Sequence, residues 1–149
     1  MHPNLKPSDQ VALLAKLDPV SQAAATVATA YVLAGGHYQF LVELDVGAMG
    51  AAATIDAKLE QATTSGGAGV KDITGSAIAQ LTKVGADDNK VVLINLDPAK
   101  LDVDNDFDHF RLSVTVGTAA CLIAARIYGL NPRMGTAQQI AAVDQIVDV

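Results

Sequence analysis

Four aspartates at every second position, Asp102, Asp104, Asp106 and Asp108, form the densest set of chemistry-bearing side chains in the chain. They lie in DPAKLDVDNDFD, residues 97–108. Hard cations such as calcium take several carboxylate oxygens, and an EF-hand loop opens D-x-[DN]-x-[DN]-G. Here Phe107 stands at the glycine position and Ser113 where the bidentate Glu belongs, so the EF-hand reading fails. What remains is a candidate non-EF calcium clamp, weighed against a solvated acidic loop whose turn starts at Asp97-Pro98.

The other titratable residues make no catalytic template. His2, His37 and His109 are far apart, and no HExxH, GxSxG, CxxC or phosphate-loop pattern is present. His109 follows Asp108, but adjacent strand residues point to opposite faces, which argues against a general-base pair. Glu43, Asp45, Asp56 and Glu60 read as a wet face, where Lys58 can pair with Glu43 or Asp45 across strands. Cys121 lies in an apolar segment, reads as a buried inert thiol and has no partner for a disulfide. No catalytic residue and no cofactor is assigned; an enzyme is not expected.

The elements that would hold these residues are strands. In residues 38–61, YQFLVELDVGAMGAAATIDAKLEQ, positions Tyr38, Phe40, Val42, Leu44 and Val46 share one parity, with Gln39, Glu43 and Asp45 on the other. Ala53, Ile55, Ala57 and Leu59 then alternate with Thr54, Asp56, Lys58 and Glu60. Successive strand side chains point to opposite faces, so each segment buries one face and wets the other. The pair is expected to form a hairpin through Gly47-Ala48-Met49-Gly50.

Further strands are expected over 23–34, 70–74, 77–82, 91–96, 109–116 and 119–130, broken by Gly-rich or polar turns at 63–69 and 85–89. VVLINL at 91–96 is apolar on both parities and is expected to be buried on both faces. Such spacing predicts an all-β fold, an antiparallel β-sandwich or jelly roll of about seven or eight strands. Residues 22–131 would form the sandwich domain, with an N-terminal arm at 1–21 and a C-terminal arm at 132–149. Within the first arm a short helix is expected over 10–17, ended by Asp18-Pro19, with Val11, Leu14 and Leu17 on one face. Ile140, Val143, Ile146 and Val147 in the second arm suggest a short helix, or an extended arm laid on a neighbouring subunit.

Composition narrows the function. The chain has 149 residues, a net charge of −6 and no Trp, is half hydrophobic, and has only 17% charged residues. Scattered basic residues on an acidic chain argue against direct nucleic-acid binding. MHPNLKPSDQ lacks the basic and apolar regions of a signal peptide, and no apolar stretch reaches the length of a membrane span. A soluble protein made in a cytoplasm is expected, with no membrane partner.

Four stretches in order carry a resemblance. They are FLVELDVGAMGAAATIDAKLEQA (40–62), KDITGSAIAQL (71–81), DDNKVVLINLD (87–97) and FRLSVTVGTAACLIAARIYGLNPR (110–133). This rhythm of strands and turns resembles small virion proteins of tailed phages and prophages over roughly two thirds of the chain. The resemblance implies a β-sandwich head decoration or cement protein on the outside of the capsid shell, and brings no active site with it.

High Ala and Val content and two apolar arms imply more nonpolar surface than a solitary domain leaves exposed. A homodimer or homotrimer that binds the major capsid protein is therefore expected, with Val11, Leu14, Leu17, Ile140, Val143 and Ile146 as oligomer or capsid contacts. Two other classes fit the same pattern. One is a lectin-like or receptor-binding module, for which only six Phe and Tyr residues offer sugar platforms. The other is a head–tail connector or tail component.

Overall fold

Alternating apolar segments must bury one face each, and this chain does so by sending successive segments to opposite layers. The computed structural model describes residues 4–148. A single helical turn, α1 (Pro7–Gln10), leads into β1 (Val11–Gln22), followed by β2 (Ala25–Ala28), β3 (Val32–Leu33), β4 (His37–Met49) and β5 (Thr54–Ala62). Two short strands, β6 (Lys71–Asp72) and β7 (Leu81–Thr82), precede β8 (Lys90–Leu96), β9 (His109–Gly117) and β10 (Cys121–Pro132).

One sheet has the order β1-β10-β4-β8 and the other β2-β9-β5-β6, with β3 also on β9 and β7 also on β5. All pairs are antiparallel. The chain crosses from one sheet to the other after β1, β3, β4, β7, β8 and β9. This interleaved order is a jelly roll, the all-β sandwich that the alternation predicted.

Between the sheets lies one core. Val42, Leu44 and Val46 of β4 and Ile123, Ala125 and Ile127 of β10 face Ile55 and Leu59 of β5 and Leu112 and Val114 of β9. Phe40 and Phe110 meet edge to face across the layers, ring centroids 4.8 Å apart, a favoured aromatic geometry.

Several expectations fail for identifiable reasons. β4 and β5 are not a hairpin: the 50–53 connection crosses the sandwich, so β4 pairs with β10 and β8, and β5 with β9. Parity shows which face is buried, not which strand lies alongside. Lys58 therefore meets Asp72 and Glu60, while Glu43 meets Arg126. The expected helix over 10–17 is strand. Register irregularities at Leu13/Ala15 and Leu17/Val20 each offset the alternation, which makes Val11, Leu14 and Leu17 look helically spaced. Asp18-Pro19 sits in the second irregularity of what is an edge strand, where proline is tolerated. The expected strand at 23–34 is broken into β2 and β3, and Tyr38 is exposed where burial was expected.

The described residues of the tail form no helix. Residues 137–140 run back along β1, where Ala137 N–H donates to Asp9 C=O at 2.8 Å and Ile140 N–H to Leu13 C=O at 3.1 Å. Among the described residues, no helix is long and apolar enough to cross a membrane.

Candidate assembly surface

The sandwich has two outer faces of different character. On the β2-β9-β5-β6 sheet most outward residues are polar and paired with one another, with Leu33 of β3 the large exposed apolar side chain at its β9 edge. Thr26 and Thr115 share a hydroxyl hydrogen bond of 2.8 Å, and Gln80 donates to Asp56 at 2.8 Å. Arg111 pairs with Glu60 at 2.9 Å and Lys58 with Asp72 at 2.7 Å. The hydrogen bond to Asp72 raises the Lys58 ammonium above its ordinary range. Such a face is at rest in water.

The opposite sheet has a mixed outer face, apolar along β8 and around Leu122 because β8 and β10 carry apolar residues on both parities, with Glu43 and Asp45 of β4 between them. Inward Ile123, Ala125 and Ile127 of β10 alternate with outward Leu122, Ala124, Arg126 and Tyr128. Register sets the outward residues in rows: Ala124 beside Asp45 beside Val91, Arg126 beside Glu43 beside Leu93, and Tyr128 beside Leu41 beside Asn95. Arg126 and Glu43 neutralise each other in the middle at 3.1 Å. Val20, Leu122, Val91 and Leu93 are between 47% and 57% exposed. One depression of about 370 Å³ is lined by Pro19, Val20, Leu122, Ala124 and Arg126. Gly47 keeps it open, since a Cβ there would meet the Leu122 side chain at 3.0 Å.

A second depression on this side, about 290 Å³, gathers Val11 and Leu13 of β1, Tyr128 of β10, and Val143 and Ile146 of the tail. It brings together three of the six contact residues expected from sequence: Val11, Val143 and Ile146. Leu14 and Leu17 instead pack against the core, and Ile140 is tied to β1 through its backbone. Of the exposed residues missed from sequence, Val20 stands between Asp18-Pro19 and Ser21-Gln22, and Leu122 and Leu93 lie in runs apolar at both parities. The same signal marks a doubly buried strand, which is why exposure was not read from it.

The residues considered for chemistry do not converge. In the acidic loop, the Asp102 carboxylate is taken by Lys71 and by Asn105 Nδ2, which donates to its two oxygens at 2.9 and 3.0 Å. These partners hold the carboxyl below its usual range. Buried Gln61 anchors the loop by accepting from Asp102 N–H at 2.8 Å. Asp108 bonds to the His109 ring at 2.6 Å, so these neighbours do meet, because Asp108 precedes the strand. No group of three or more His, Cys, Asp or Glu side chains converges among the described residues. His2 lies outside the described residues. Cys121 is buried, and burial pushes its thiol pKa up.

No family model and no curated protein matches the chain. Among solved structures it is similar to a protein of naturally occurring empty particles of cowpea mosaic virus, at 11% identity and TM-score 0.47, covering 89% of each chain. A chain of broad bean stain virus gives 12% identity and TM-score 0.41, over 93% of this chain and 96% of that one. An acetyl xylan esterase from the rumen bacterium Butyrivibrio proteoclasticus gives 8% identity and TM-score 0.34, over 91% of this chain but 32% of that one. At these TM-scores the likenesses carry no argument.

Proposed function

We propose that this protein is a non-catalytic structural component of a virus particle, a head decoration or cement protein that binds the outside of a tailed-phage capsid shell. The observation that carries the reading is the contrast between the two outer faces. One is mainly polar and internally paired, with Leu33 exposed at its edge, whereas the other leaves Val20, Leu122, Val91 and Leu93 in water around a self-neutralised ion pair. Exposed apolar clusters mark a docking face; here Val91 with Leu93 and Val20 with Leu122 flank Asp45 and the Arg126–Glu43 pair, a surface that suits a protein sitting on a larger one. The resemblance of the sequence to tailed-phage virion proteins supports a capsid shell as that surface.

The test is co-sedimentation of the purified protein with empty shells of the major capsid protein from the same genome. The account expects saturable binding at a fixed ratio to capsid subunits. Leu122→Asp should reduce bound protein at least tenfold, because a buried unpaired carboxylate is strongly unfavourable. Its thermal unfolding should stay unchanged, since Leu122 is 47% exposed. A folded wild-type protein that leaves every shell bare contradicts the assignment.

A further inference from the structure

The two edges of the β1-β10-β4-β8 sheet are treated differently. An edge strand presents unpaired N–H and C=O groups, and proteins blunt it with charge, proline, bulges or a covering segment. The β1 edge has all four. Lys16, Asp18 and Pro19 interrupt it, two register irregularities twist it, and the tail covers it. Gln139 completes the cover: its Oε1 accepts from Leu13 N–H at 2.7 Å, and its Nε2 donates to Ser8 and Val11 carbonyls at 3.0 and 2.8 Å.

The β8 edge has none of these devices along its apolar run. Its sequence KVVLINL carries no charge between Lys90 and Asp97, and no proline or glycine. Its ladder with β4 runs from Phe40↔Leu96 to Val46↔Lys90 without an irregularity. Val91 and Leu93 are each 57% exposed. VVLINL was expected to be buried on both faces, and in this chain it is half open.

We propose that β8 pairs antiparallel with β8 of a second copy about a two-fold axis, joining the two four-stranded sheets into one of eight strands. The second copy fits for two reasons. Asp87 and Asp88 before the strand are turned to Thr82 N–H and Lys83, which leaves Lys90 at the start and Asp97 just past the end as the opposite charges flanking it. Antiparallel pairing brings each lysine end beside the other copy's aspartate end, while parallel pairing sets like charges together. A two-fold axis at Leu93 also keeps parity: Val92 opposes Ile94 on the core side, and Val91 opposes Asn95 on the outer side. Leu93 opposes itself. Each copy thus covers the other's bare edge by strand addition, and the contact is isologous, so it closes at two. This pairing does not depend on capsid binding, and it would survive failure of that assignment.

The experiment is light scattering of the full-length chain over a dilution series, with two variants. Wild type should have twice the 15.3 kDa chain mass. Leu93→Lys places two ammonium groups face to face at the axis and should shift the dissociation midpoint at least tenfold, with circular dichroism unchanged. Leu93→Cys should form a disulfide-linked dimer on mild oxidation, because directly opposed strand residues lie about 4.5–5.5 Å apart, within disulfide reach. Val91→Cys, out of register with its copy, should not. A monomeric wild type, a Leu93→Lys dimer of undiminished stability, or cross-linking through Val91→Cys in place of Leu93→Cys would overturn the proposal.

Discussion

The ring of His37, which opposes Pro132 in the β4–β10 ladder, lies over Gly129, which opposes Phe40. A Cβ on Gly129 would lie 2.6 Å from the imidazole ring, so the position is held open for the histidine. Gly129→Ala should destabilise the fold by about 1–3 kcal/mol through overpacking, read by urea unfolding. Combining it with His37→Ala should return part of that loss, the non-additivity expected of touching residues. The ring is 8% exposed, packs edge-on to Phe40, and its Nε2 has no hydrogen-bond partner. Burial lowers its pKa from the ordinary value. Above an unfolded-state pKa of about 6.5 both states are neutral and the histidine adds no pH dependence. Below that pH the unfolded chain takes up the proton first, so stability falls as pH drops through 6.5 toward the folded pKa. Wild type should therefore lose stability between pH 7 and pH 5, and His37→Phe should flatten that slope. An equal slope in both proteins would rule out His37 as the source.

At the scale of elements, the β1 edge and its cover make a separable unit. Gln139→Ala removes three hydrogen bonds to the α1–β1 segment, worth about 1 kcal/mol each at most in net terms. The tail should then become the first site of limited proteolysis, and Leu13 N–H should exchange faster with solvent. Removing residues 132–149 should leave the circular dichroism of the sandwich in place, because the core residues lie between β1 and β10. An unfolded truncation product would mean that the tail is part of the core. These elements also show what the sequence could disclose. The alternation in β5 and β9 was legible because their outer residues are polar: Asp56, Lys58, Arg111 and Thr115 marked the parity directly. β1 was misread because two irregularities replaced period two with a spacing near three. β8 and β10 were half-read, since Leu93 and Leu122 are as apolar as the core but face outward. Pairing partners were not legible at all, because Glu43 and Lys58 alternate equally well whether β4 and β5 share a sheet or face each other across one.

At the scale of the whole molecule, in the proposed assembly one sheet is the docking wall and the other faces water, and the outer face around Leu122 is covered when the protein sits on a capsid shell. The native thiol, Cys121, is buried and its pKa raised, so an introduced cysteine can report alone. Leu122→Cys and Thr115→Cys place thiols on the two opposite outer faces, both exposed in the free protein. The decisive measurement is the rate of maleimide labelling of each variant, free and bound to empty shells. The account predicts that shell binding slows labelling at residue 122 at least tenfold and leaves residue 115 unchanged. Protection at 115 with residue 122 still reactive would contradict it.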